Sequence, residues 1–224
     1  MRIAVLGATG MVGSRVVTEA AARGHRVLAL SRKPETGPES GARPEVSPVA
    51  VDAQDEEALR EALTDTADAV VVAVRTVPVD EDFLVGTTRR VLDTAARLGI
   101  RVLVVGGAGA LRSPGTRDLL IADDPAHVPA GLRPVAAAGI AQLRTCETHP
   151  HPDWTYLSPP AHLEPGPRTG HYRRGTDTLL TTPDGHSWIS TEDLATAILD
   201  ELESPGPDRH ITMVHRDERQ PAKP

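Results

Sequence analysis

The chain has 224 residues, of which 39% are hydrophobic and only 2% aromatic, and it carries a formal net charge of −7. That length fits one domain, or one domain with a small added lobe, and the acidic balance argues against a nucleic-acid surface, which needs clustered Lys and Arg. The single cysteine, Cys146, excludes an internal disulfide framework and a cysteine-based zinc site, and no apolar run approaches the ~18 residues of a membrane span.

The first element is a short apolar run, Arg2–Leu6, which reads as a buried parallel strand that leaves no room for a targeting segment. A cytoplasmic protein is therefore expected. Directly after it come Gly7-Ala8-Thr9-Gly10-Met11-Val12-Gly13 and an Ala-rich helix, Ser14–Arg23, closed near Gly24. Glycines at i, i+3 and i+6 between a strand and a helix suit a dinucleotide turn. The first pivots the chain, the second lets a diphosphate approach the backbone, and the third lets helix pack on strand. The helix start then forms an anion site.

A second strand, Arg26–Leu30, leads into Ser31-Arg32-Lys33. This lies about twenty residues past the glycines, where a carboxylate would otherwise hold the ribose 2′-hydroxyl of NAD. A hydroxyl and two cations suit a 2′-phosphate instead, so NADP is favoured over NAD. The alternative is that Arg32 and Lys33 are solvated loop charges. Residues 34–48, with four prolines, read as an irregular loop.

Strand three is expected at Val49–Val51, before Asp52-Ala53 and a helix over Asp55–Leu63. Strand four is expected at Ala69–Val74, apolar on both faces, with Arg75-Thr76 at the carboxyl edge of the sheet. Phe83, Leu84, Val91, Leu92, Ala95 and Leu98 recur at helical spacing up to Gly99, and strand five follows at Arg101–Val105. Alternation of strand and helix through five strands predicts an α/β doubly wound parallel sheet.

Gly106-Gly107-Ala108-Gly109 leaves strand five as a turn that either approaches the nicotinamide or is a plain loop. Residues 112–132 read as a loop with one helical turn near Arg117–Ile121. Pro134 opens a helix through about Glu147, and strand six is Trp154–Leu157. Residues about 107–133 and 159–188 are expected to be insertions that build a small substrate lobe; the second is rich in proline, His and Arg. A short strand, Ser187–Ile189, precedes Ser190, whose spacing to Asp193 suggests a capping box for the helix Thr191–Glu203. His210–Val214 is the last strand.

On Gly-Ala-Thr-Gly-Met-Val-Gly, Val104-Val105-Gly106-Gly107-Ala108, Trp154–Pro159, Glu164–Gly170 and Ile189–Asp193, the chain resembles the atypical short-chain dehydrogenases that include NmrA-like proteins. Within them it is most similar to small NAD(P)H-flavin reductases and, more distantly, to biliverdin-IXβ reductase. The resemblance implies a Rossmann-like fold. It assigns Gly7, Thr9, Gly10, Met11 and Val12 to the diphosphate, Arg32 to the 2′-phosphate and Asp52 and Ala53 to the adenine. Ala73, Val74 and Arg75 would pass the ribose, and Gly106, Gly107 and Pro159 would flank the nicotinamide. It leaves a homodimer open.

One departure bears on chemistry. Ordinary members of that superfamily use a Tyr with a Lys four residues on, but between Gly107 and Asp153 this chain has neither. Hydride transfer from NADPH to a flavin or another conjugated small molecule makes smaller demands, because the reduced ring can remain anionic or take its proton from water. His162, after Pro159-Pro160, is the candidate acid, against the alternative of a surface histidine. Tyr156 reads as core, and Arg75 as either an anion contact or a solvated charge. A metal site at His149 and His151 would need further ligands, so none is expected. A cofactor sensor without catalysis fits the missing pair equally well; a further alternative is a reductase, epimerase or dehydratase of a specialised pathway that uses His162 or another residue of the 159–180 segment.

Overall fold

The computed structural model describes residues 1–34, 44–116 and 118–216. An eight-stranded sheet forms its centre. Its members are β1 (Arg2–Leu6), β2 (Arg26–Ser31), β3 (Val46–Ala50), β4 (Ala69–Val72), β5 (Arg101–Val105), β6 (Trp154–Ser158), β8 (Tyr172–Gly175) and β10 (His210–His215). Their order is β3-β2-β1-β4-β5-β6-β10-β8, all parallel except the β8 edge, which runs antiparallel to β10. A two-stranded parallel ribbon joins β7 (His162–Glu164) to β9 (Trp188–Ser190).

Period-two alternation explains the layers. Ile3 and Val5 of β1 face one side, with α1 (Met11–Ala22) and α5 (Thr191–Glu203). Ala4 and Leu6 face the other, with α2 (Glu56–Leu63), α3 (Glu81–Leu98) and α4 (Arg133–Thr148). Both faces are covered, so central strands are apolar throughout; all four residues of β4 are buried. This is the Rossmann-like α/β arrangement expected. Helix boundaries follow the chemistry of their caps: Asp55 and Asp80 accept from amides of the first turn, and Gly99 closes α3 with φ +67°.

The strand boundaries differ from expectation by more than one residue at two places. Strand β3 begins at Val46, inside the segment read as loop. Pro48 is tolerated there because β3 is an edge strand, paired only with β2. Residues 35–43 of that loop lie outside the described residues. Strand β4 ends at Val72 rather than Val74, because its partner β1 ends at Leu6 and turns away at Gly7.

The lobe segments also differ in detail. The helical turn expected near Arg117–Ile121 is a 3-10 turn at Ile121–Asp123, and Arg117 lies outside the described residues. Tyr172–Gly175, within the segment assigned to the lobe, is the sheet edge β8; its sequence, Tyr-Arg-Arg-Gly, shows no apolar alternation to announce a strand. Residues 217–224 of the polar tail lie outside the described residues.

Candidate active site

Winding reverses between β1 and β4, so the carboxyl ends of these strands open a crevice. The glycine turn sits there. Gly7 adopts φ +92°, a conformation that favours glycine, and its N–H and that of Ala8 both donate to the carbonyl of Leu30. A Cβ on Gly7 would stand 2.4 Å from the carbonyl oxygen of Ala73, and one on Gly13 only 2.1 Å from that of Gly7. Those two glycines therefore let α1 and β4 close around the turn. Gly10 is different: its Cβ would be 3.2 Å from the Gly7 oxygen, and its φ of −78° is ordinary. It is exposed, caps α1 without a side chain, and no acidic residue stands in the first turn. The helix start thus presents backbone amides and a positive dipole end to an anion.

Five further strand ends contribute. At β2, Ser31 is buried and its Oγ has no hydrogen-bond partner among the described residues, while Arg32 and Lys33 are exposed beside it. A buried hydroxyl with no partner among the described residues, next to two exposed cations, suits a polar ligand group. After β3, Asp52 is exposed and accepts from the amide of Gln54, and Ala53 is buried. Past β4, Ala73 and Val74 are half-buried and Arg75 is exposed. Gly106 and Gly107 leave β5, and Pro159, buried, leaves β6. From β2 to β6 is four strand spacings, about 19 Å at ~4.8 Å each. An extended dinucleotide laid across that edge would pass the glycine turn one strand spacing in from β2.

The far end shows why no tyrosine acid stands in α4. Gly139 occupies the helix face beside the turn, and Tyr156, from β6, fills the space beneath. Its hydroxyl donates to the carbonyl of Gly139 at 2.8 Å, and a Cβ on Gly106 would strike it at 1.9 Å. Tyr156 is fully buried, and desolvation pushes its phenol far above the usual range. It braces the turn and cannot titrate near neutrality. Tyr156→Phe is expected to cost about 1 kcal/mol in denaturant unfolding, from loss of the hydroxyl's bond to the Gly139 carbonyl, with cofactor affinity unchanged. Cys146 is likewise core: burial pushes its thiol up to about 12.

His162, the acid suggested by sequence, lies exposed on β7, its backbone N–H donating to Ser187. It belongs to the β7–β9 ribbon. His149 pairs with Asp93 and His151 with the carbonyl of Ile100, so both anchor their turn. Among the described residues no group of three or more His, Cys, Asp or Glu is arranged to hold a metal, and no helix is long and apolar enough to cross a membrane.

The lobe is tied down by carboxylates whose contacts with it the sequence did not announce. Ser190 Oγ accepts from the amide of Asp193, half of the expected capping box, but the Asp193 carboxylate does not return to the cap. It accepts instead from the amides of Thr169 and Gly170 and from the Thr169 hydroxyl. Glu192 takes the amide of Gly166 and pairs with Arg15, and buried Glu19 pairs with Arg168 and Arg23. These two arginines hold the Glu19 carboxyl below its usual range. The only advance signal was position: an acid three residues after a helix-capping serine.

A strand-turn-helix with glycines at 7, 10 and 13, set at the switch point of a parallel sheet, decides the family. The chain belongs to the NAD(P)H-binding family. The family model matches residues 7–205, from the first glycine of the turn to just past α5. This family member is 33% identical over 207 residues to YwnB of Bacillus subtilis, an uncharacterized protein, covering 92% of this chain and 93% of that one. A Burkholderia pseudomallei structure named "putative exported protein" is 37% identical with a TM-score of 0.83, covering 95% of this chain and 98% of that one. A Streptococcus pneumoniae structure named "putative NADH-flavin reductase" is 30% identical with a TM-score of 0.80, covering 96% and 100%.

Proposed function

We propose that this NAD(P)H-binding protein is an NADPH-dependent reductase that passes hydride to a flavin or another flat, conjugated small molecule such as a quinone. The observation that carries the reading is an intact dinucleotide turn at the start of α1, together with a helix, α4, that sets Ala136 and Gly139 against the Gly106–Gly109 turn and offers no Tyr/Lys pair. Bound NADPH supplies the hydride. The chain's part is to hold the cofactor at Gly7, Thr9, Gly10, Met11 and Val12, to take the 2′-phosphate on Arg32 with Ser31, and to border adenine with Asp52 and Ala53. Ala73, Val74 and Arg75 line the ribose, and Gly106, Gly107 and Pro159 orient the nicotinamide.

An apolar rim supports a flat acceptor. Apart from Met1, the exposed large hydrophobic residues are Met11, Val77, Leu132 and Val135, between 42% and 83% exposed. Met11 follows β1, Val77 follows β4, and Leu132 and Val135 open α4, which runs back from the carboxyl edge. Apolar surface kept at one edge favours a conjugated ring over a sugar or amino acid. We place the protein in the cytoplasm, as one NAD(P)-binding domain with the lobe made from residues 107–133 and 159–188, acting as a monomer or homodimer on a small molecule and not on nucleic acid.

The test has two parts. Thermal shifts with NADPH and NADH are expected to favour NADPH, and Arg32→Ala is expected to weaken NADPH about tenfold or more while leaving NADH unchanged, the loss of one charge-assisted contact. Absorbance-followed NADPH oxidation against flavins and quinones then tests turnover. Binding without turnover on any acceptor would make the protein a cofactor sensor instead.

A further inference from the structure

Resting on the reductase reading, we propose that His127, oriented by Asp124, is the proton donor for acceptors whose reduced form must be protonated. Both residues lie in the first lobe segment, between β5 and α4. The backbone amides of His127 and Val128 donate to the carbonyl of Asp124, at 3.0 and 2.9 Å, which closes a tight turn just before the 3-10 turn Ala130–Leu132. The Asp124 carboxylate is fixed by three groups. Its Oδ1 accepts from the Ala126 amide at 2.9 Å, and its Oδ2 accepts from the buried Ser113 hydroxyl at 2.6 Å and lies 3.1 Å from Nδ1 of His127. Those contacts, the Ser113 hydroxyl first, hold the carboxyl below its usual range, so it stays an acceptor and the hydrogen of the last contact sits on Nδ1.

Nε2 is therefore the outward nitrogen. The His127 side chain is 31% exposed, and Nε2 has no hydrogen-bond partner among the described residues. The carboxylate stands in the middle of the group, so the histidine does not activate the serine: Ser113 is buried and gives its hydroxyl hydrogen to Asp124. His162, on the exposed ribbon, has no side-chain hydrogen bond among the described residues to set its ring.

Packing ties the His127 turn to the acceptor side. Val128, the next residue, packs with Leu111, Ile121, Leu179 and Ala136, and Ala108 lies against that cluster. Ala136 is the α4 residue that a Cβ on Gly109 would strike at 2.6 Å. The turn carrying His127 thus rests on the start of α4 and on the Gly106–Gly109 turn, assigned above to the nicotinamide. Leu132 and Val135 of the apolar rim follow in the same stretch of chain, both exposed, so an acceptor seated on that rim lies against the segment that presents Nε2. Asp124 is the charged group in contact with His127 among the described residues. Asp118, Asp123 and Arg133, on the adjoining stretches, are exposed, and Arg112 and Asp177 pair with each other at 2.9 Å.

The step balances as follows. Hydride addition leaves an anionic acceptor. Nε2–H of protonated His127 gives its proton to the anionic oxygen, an O–H bond forms as the N–H bond breaks, and the ring is left neutral with Nδ1–H still on Asp124. Solvent then recharges Nε2, which its exposure allows. His127 is the group that touches the acceptor, and Asp124 is a positioning residue.

The experiment follows NADPH oxidation with menadione and with riboflavin across a pH series, for wild type, His127→Gln and Asp124→Asn, beside NADPH thermal shifts and melting temperatures. Gln keeps an N–H for Asp124 but does not titrate. With menadione the wild-type kcat is expected to fall as pH rises through the histidine range, and His127→Gln should lose tenfold or more at low pH and flatten that limb, with NADPH thermal shift unchanged. Reduced riboflavin can remain anionic, so the loss there should be at least several-fold smaller. Asp124→Asn keeps a ring that titrates but no longer fixes it by charge; it should lose several-fold in kcat on menadione and retain the falling limb. His127→Gln with the wild-type kcat and pH profile overturns the assignment, as do equal losses on both acceptors. Asp124→Asn with the wild-type kcat overturns the positioning role, and if that variant melts early, His127→Gln, a substitution of an exposed residue, decides alone. A wild type that binds NADPH yet reduces neither acceptor overturns the reductase reading, and this step with it.

Discussion

Gly10→Val is expected to cut NADPH affinity a hundredfold or more while the chain still folds. The backbone at Gly10 already has dihedrals that a valine accepts, and an added Cβ meets the Gly7 oxygen at 3.2 Å and the Ala73 oxygen at 3.8 Å. The isopropyl group would instead stand over the amides at the start of α1, where a diphosphate must approach. Losing two charge-assisted hydrogen bonds costs about 3–4 kcal/mol, which is a factor of 100 or more in affinity. Gly13→Ala fails differently. Its methyl would lie 2.1 Å from a backbone oxygen, so α1 must lift away from β1, at about 2–4 kcal/mol. Calorimetry with NADPH and denaturant unfolding separate the two. A Gly10→Val protein that binds normally would show that the turn is not the cofactor cradle described here, and a Gly13→Ala protein as stable as wild type would show that α1 needs no glycine there to pack on the turn.

Asp193→Ala is expected to have the largest effect outside the glycine turn. The carboxylate is fully buried and accepts three hydrogen bonds from Thr169 and Gly170. Removing it leaves those two amides and a hydroxyl unpaired under the lobe, at about 2–4 kcal/mol. Ser190→Ala removes only the cap, at about 1 kcal/mol. The difference should appear as a larger drop in melting temperature for Asp193→Ala and as faster proteolysis within residues 163–171. Equal effects from the two variants would mean that Asp193 matters only to the helix end.

The doubly wound sheet was legible because its signals are local. Ile3 to Leu6 and Ala69 to Val72 are continuous apolar runs, and Gly7, Gly10 and Gly13 follow β1 at a spacing that few other structures need. What stayed hidden depends on contacts distant in sequence. Pro48 reads as loop until the edge position of β3 is known, and Arg173 and Arg174 show no strand pattern because β8 is an edge held by backbone pairing with β10. At the site, the absence of a Tyr/Lys pair was visible in the letters. That Tyr156 reaches under Gly106 to Gly139, 17 residues away, was not. Nor was the seating of Asp124 between His127 and Ser113, which lies 11 residues back in the chain. His162 looked chemical from its neighbours, yet the fold puts it on an exposed ribbon.

The most direct measurement of the central claim is steady-state NADPH oxidation by the purified protein, with riboflavin and menadione as acceptors and Gly10→Val as the control. Turnover that saturates with NADPH and is lost in Gly10→Val is the predicted result. Tight NADPH binding with no oxidation above the Gly10→Val background, on either acceptor, would contradict it.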